Sequence, residues 1–285
     1  MPFLREKGGR WSPEKISAFA LAVAPILWLI GRLVLNDLGP RPVMESIHFT
    51  GRWAVRLILL SLAVTPARFL LSSPKLINAR RTLGLAACLY AVLHFLLYVV
   101  DQKYNLATVA SEIALRFYLT IGFATLMGLI ALGITSTDAM IRRLGPRWNT
   151  LHRASYLIGV LAILHFMLQK KLDIYEPTLM AGFLLWLLGY RLWRRYWERV
   201  TLLHLIGLAL TSAVLTALFE AVWYMAKTGV SPLMVLQANL MFDVDARPAW
   251  WTLAAGIAVI AGYLTAQWLW PRPAPRLRTA VRPAE

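Results

Sequence analysis

Residues 83–100 read LGLAACLYAVLHFLLYVV, with no Asp, Glu, Lys or Arg among them. A helix needs about 20 predominantly apolar residues to cross the hydrocarbon core of a bilayer. Seven further stretches read the same way: 16–35, 53–71, 117–135, 149–168, 177–192, 200–225 and 250–270. An open sheet in lipid would leave its edge groups unpaired, so helices are the expected spanning device. The expected fold class is all-α, a polytopic membrane helical bundle of eight transmembrane helices. Only 15% of the residues are charged, against about 25% in an ordinary soluble domain. The 12 tryptophans suit membrane interfaces.

A formal net charge of +16 would suit nucleic acid if it lay in one patch. It falls instead in short clusters between the oily segments, which is the pattern that orients a membrane protein. Residues 5–15, 68–81, 142–153, 191–199 and 272–282 each hold four Lys or Arg, while the alternate connections are poorer. Both termini are therefore expected in the cytoplasm, with membrane lipid and no nucleic acid as a partner. Residues 1–15 read as a cytoplasmic N-terminal segment. Residues 271–285, PRPAPRLRTAVRPAE, read as a basic disordered tail near anionic headgroups. The first apolar stretch exceeds a signal-peptide core and no A-x-A-like site follows it, so it reads as a retained anchor. Neither a P-loop nor a G-x-G-x-x-G following a strand is present, so no nucleotide-binding domain is expected. The single cysteine, Cys88, cannot close an intrachain disulfide, and no C-x-x-C-H attaches haem covalently.

Five histidines remain: His48, His94, His152, His165 and His204. His94 lies thirteen residues after Arg81, which is about 20 Å along a helix, and His165 lies seventeen after Trp148, about 25 Å. Both helices run outward, so the two imidazoles reach similar levels in the outer half of the bilayer. Two neutral imidazoles at one depth suit the axial positions of a b-type haem. Arg52, Arg56 and Arg116, read at the outer ends of helices two and four, are candidates for its propionates. A helix-bridging hydrogen bond or a proton relay accounts for a membrane histidine equally well on spacing alone. A proton-coupled transporter and a structural membrane protein therefore stand as alternatives. No internal repeat between the two halves is evident, which counts against a transporter. His152 precedes His165 by thirteen residues, about 220° round a continuous helix, and the third helix offers Arg81 at its level. Its role stays open between a metal ligand and a hydrogen-bond partner for a quinone or flavin carbonyl near the inner face. His48 reads as a loop residue and His204 as a snorkelling one.

The stretches HFTGRW (48–53), TPARFL (65–70), RRTLGLAACLYAVLHFLLY (80–98), RFYLTIGFATLMGLIALGITST (116–137) and LGPRWNTLHRASYLIGVLAILHF (144–166) closely resemble one family. This is the MsrQ (YedZ) family of the ferric-reductase-like transmembrane superfamily, and the likeness covers roughly residues 10–195. The resemblance implies a haem-binding electron-transfer subunit in the bacterial inner membrane, without catalytic residues of its own. It would take electrons from the quinone pool or a soluble flavin reductase. It would pass them to a periplasmic molybdopterin methionine sulfoxide reductase, MsrP-like. It implies haem b iron and, as a second cofactor, FMN, which would make the chain a flavoprotein. The family's functional histidines map to His94, His152 and His165, with His94 and His165 taken as the axial pair. The six-helix haem domain would span 16–199. Residues 200–270 would add two helices, with Glu220 in the outer half of the seventh, able to meet Lys227.

Overall fold

The computed structural model describes residues 10–197, 200–241 and 246–269. The expected tail at 271–285 and most of the expected N-terminal segment lie outside them. Twelve α-helices follow in order: α1 (Pro13–Val34), α2 (Pro42–Leu70), α3 (Ile77–Asp101), α4 (Leu106–Leu115), α5 (Phe117–Ile134) and α6 (Asp138–Leu144); then α7 (Pro146–His152), α8 (Ala154–Lys170), α9 (Tyr175–Tyr196), α10 (Leu202–Thr228), α11 (Pro232–Leu240) and α12 (Pro248–Leu269). Their ends follow local chemistry. Proline opens α1, α2, α7 and α11, where its fixed φ is already helical and its missing N–H is not needed. Asn105 and Thr137 cap α4 and α6 by accepting from the N–H of Thr108 and Met140. Gly229, at φ 72°, stops α10 in the left-handed region.

The chain is a polytopic helical membrane bundle. Among the described residues, seven stretches are long and apolar enough to cross a membrane: 13–34, 42–70, 74–101, 117–134, 146–170, 202–228 and 248–269. Apolar side chains on the bundle exterior, among them Leu89, Leu157, Val214 and Ile257, face outward, as lipid-facing positions do. The 22-residue α9 is long enough to cross but carries Glu176 near its start and Arg191, Arg194 and Arg195 near its end. It packs among α2, α8, α10 and α12, which cover most of its length. A helix so enclosed is relieved of the need for an apolar outer face.

The structure moves several boundaries. The second helix starts at Pro42 rather than 53, so His48 is helical, not in a loop, and Arg52 and Arg56 lie well inside the helix. The apolar run alone marks a later start because neighbouring helices, not lipid, cover these polar positions. The third helix begins at Ile77 and takes Arg80 and Arg81 into its first turns. The fifth apolar stretch is two helices, α7 and α8, meeting at Arg153.

The core forms where α2 packs along α3 and α5 along α8, with α1 laid on α3. Leu57, Leu62, Ala87, Met167 and Leu205 are sealed within it. Pro25 interrupts the ladder of α1, and the Tyr90 hydroxyl of α3 donates to the Ala22 carbonyl at 2.8 Å. Small residues bring α10 and α12 together: a methyl group on Gly256 would stand 2.5 Å from Ala209 Cβ. In lipid, where apolar surface gives helices little reason to associate, such close backbone approach supplies the packing.

Candidate functional site

His94 on α3 and His165 on α8 come together, with ring centroids 6.4 Å apart and planes at 82°. Each ring is tied from behind. His94 Nδ1 lies 2.8 Å from the Ile47 carbonyl of α2, and His165 Nδ1 lies 2.8 Å from the Tyr118 carbonyl of α5. A carbonyl only accepts, so Nδ1 carries the proton in both rings and each Nε2 keeps a free lone pair. This backing of a ligating imidazole by a backbone carbonyl is the usual support of a metal-binding histidine. Gly51 and Gly122 flank the rings, one helical turn beyond Ile47 and Tyr118.

The pair suits one kind of metal centre. Two metal–nitrogen bonds of about 2 Å, with about 1.1 Å more from each nitrogen to its ring centre, put the centroids about 6.2 Å apart. The observed separation matches. Among the described residues no group of three or more His, Cys, Asp and Glu gathers to hold a bare ion. Two opposed imidazoles therefore suit an iron that brings its four equatorial ligands with it, as in a porphyrin.

The two halves of the site are copies. Tyr118 follows Ile47, Gly122 follows Gly51 and His165 follows His94 by the same 71 residues, and each histidine lies 47 residues beyond its carbonyl. The segments around the histidines read AVLHFLL (91–97) and AILHFML (162–168). This corrects the expectation that no repeat relates the halves. The repeat is two helical hairpins, α2–α3 and α5–α8, running in the same sense, since both first helices start at the histidine end. The register breaks at the other end, where His152 corresponds to Arg81.

The remaining candidates are dispersed. His152 closes α7, with Nε2 3.2 Å from Thr135 Oγ1 and Trp148 stacked on it at 3.9 Å. Arg153, between it and the helix carrying His165, keeps helical dihedrals of φ −65° and ψ −24°. Arg81 pairs with Asp138 at 2.5 Å. Arg56 and Arg52 both approach Glu176, at 2.6 and 3.8 Å, a carboxylate that sequence reasoning passed over. Arg52 nevertheless follows Gly51 directly. Arg116 stands two residues before Tyr118, paired with Glu112 and near the Tyr118 hydroxyl. That hydroxyl and the Glu112 carboxylate push the Arg116 guanidinium above its ordinary value. All three arginines thus border the cradle in sequence, each already with a polar partner. His204 does not snorkel. Its Nδ1 accepts from the Thr201 N–H at the start of α10, and its ring lies against Trp193. Glu220 binds Arg247 rather than Lys227, at 2.9 Å, and accepts from Asn239 Nδ2 at 2.9 Å.

Residues 50–163 match the family model described as "Ferric reductase like transmembrane component". Fold and site thus define a membrane protein of the ferric-reductase-like transmembrane class. Within that class, the protein-methionine-sulfoxide reductase heme-binding subunit MsrQ of Xanthomonas campestris pv. campestris (strain 8004) is 42% identical over 194 residues, spanning 66% of this chain and 89% of that protein. The protein of the same name from Rhodospirillum rubrum is 41% identical over 180 residues, spanning 62% of this chain and 86% of its own. The chain belongs to the MsrQ family. No solved structure matches it.

Proposed function

We propose that this chain is a b-type haem electron-transfer subunit of a methionine sulfoxide reductase system, with His94 and His165 as axial ligands through Nε2. The observation that carries the reading is the opposed pair of carbonyl-backed imidazoles at 6.4 Å. The family's name supports it, since the named relatives are heme-binding subunits. A haem held there carries one electron at a time. The chain's own residues keep the two Nε2 atoms unprotonated and hold the rings in place. Arg52, Arg56 and Arg116 are the cationic groups for the propionates, with Glu176 and Glu112 orienting them.

Both termini face the cytoplasm in this reading, by the charge bias of the connections. The site then lies nearer the periplasm, where electrons leave to an MsrP-like molybdopterin reductase of oxidised periplasmic proteins. Reducing one sulfoxide to a thioether and water takes two electrons and two protons, hence two successive deliveries. The donor is the quinone pool or a soluble flavin reductase, and His152 with the inner arginines is the place for a quinone or FMN to dock. Residues 16–199 form the haem domain, and 200–270 are an addition that completes eight crossings.

The test is the haem-to-protein ratio and Soret spectrum of the purified protein and of single histidine variants. His94→Ala and His165→Ala are each expected to abolish the six-coordinate spectrum. A protein that folds without haem, or keeps its spectrum in both variants, overturns the assignment.

A further inference from the structure

The backbone does more than tie the two imidazoles, because it also fixes their rotation. A methyl group built on Gly51 would stand 2.9 Å from Cε1 and Nδ1 of His94. One built on Gly122 would stand 2.7 Å from the same atoms of His165. Non-bonded carbon contacts are comfortable only near 3.5–4.0 Å, so a side chain at either position would drive the ring off its helix. Residues four apart share a helix face, so each glycine opens a slot directly beyond the carbonyl that takes the Nδ1 proton. The carbonyl sets where Nδ1 points, and the slot sets the plane in which the ring lies. The same device recurs at both hairpins, and the two slots leave the planes 82° apart.

We propose that Gly51 and Gly122 are paired positioning residues that hold the axial imidazoles crossed, and that this crossing sets the electronic state of the iron. The inference rests on the haem reading above. An imidazole donates π density into the iron d orbital perpendicular to its own plane. Crossed planes load two d orbitals equally and leave them nearly degenerate; parallel planes load one orbital twice and split the pair. A ferric low-spin centre with crossed rings gives one strongly anisotropic low-field resonance, whereas parallel rings give a three-line rhombic spectrum. Helix stability alone does not account for the glycines, since alanine is the better residue in a helix interior.

The experiment compares the ferric electron paramagnetic resonance, haem content and circular dichroism of the purified holoprotein with those of Gly51→Ala, Gly122→Ala and the control Gly31→Ala, whose site is open. The unmodified protein is expected to give the single low-field feature. Both cradle variants are expected to move it toward the rhombic pattern and to weaken haem retention by about 10–100-fold, the usual loss when a ligand's backing is disturbed, with helix content intact. The control should match the unmodified protein. An unchanged resonance in both cradle variants, or a rhombic spectrum in the unmodified protein, overturns the proposal. Should a variant lose helix content, the unmodified protein's spectrum alone decides. A colourless protein refutes the haem assignment instead, and that result is distinct from an unchanged resonance.

Discussion

Arg247→Ala is expected to destabilise the bundle far more than Glu220→Gln. The Glu220 side chain on α10 is 3% exposed, with one oxygen on Arg247 Nη1 and the other on Asn239 Nδ2, each at 2.9 Å. Deleting one partner of a buried ion pair costs about 3–5 kcal/mol, chiefly because a charge is left buried without compensation. The Arg247 side chain is 36% exposed, so water softens the loss and the lower end, about 3 kcal/mol, applies. Glutamine at 220 keeps the shape, but its single oxygen accepts from only one of the two donors; Asn239 Nδ2 retains its bond to the Val235 carbonyl, so the cost is that of one hydrogen bond, about 1 kcal/mol. The double variant Glu220→Gln/Arg247→Ala should then be more stable than Arg247→Ala alone by about 1 kcal/mol, because a coupling of about 2 kcal/mol more than offsets the cost of the glutamine. Thermal and denaturant unfolding in one detergent, followed by circular dichroism, ranks the four proteins. The reasoning fails if Arg247→Ala unfolds with the unmodified protein, or if the double variant is the least stable.

Other outcomes follow from the site. His152→Ala should leave the His94/His165 spectrum in place while lowering the rate of reduction by a quinol analogue, checked by stopped-flow absorbance; loss of that spectrum would place His152 in the metal's coordination. Arg52→Ala/Arg56→Ala should lower haem occupancy, read as the haem-to-protein ratio, and an unchanged ratio removes those arginines from the propionate role. A reporter fused after Glu285 should be active only in the cytoplasm, and periplasmic activity would reverse the orientation.

Much of the bundle is legible in the letters, because lipid imposes one rule on every exposed turn. The centres of α3, α5, α10 and α12 follow from their apolar runs. The first eleven residues of α2 do not, since His48, Gly51 and Arg52 break the run and the neighbours that cover them belong to distant sequence. The same limit hides Glu176, which gains meaning only where α9 meets α2. His94 and His165 can be placed at one level by counting rise per residue, yet the count says nothing about which way a ring faces. The shared motif AVLHFLL and AILHFML is plain once the two histidines are set opposite each other. The glycines give no such signal, because their function is defined by an absent side chain.

Because each hairpin brings one carbonyl, one imidazole and one glycine slot that the ring fills, neither makes a socket by itself. A chain severed in the turn after α3 would yield two half-moulds that grip a flat guest only when pressed together. On the haem reading proposed above, the guest is a rivet between the halves, and loading it is a step in closing the bundle as much as in arming it.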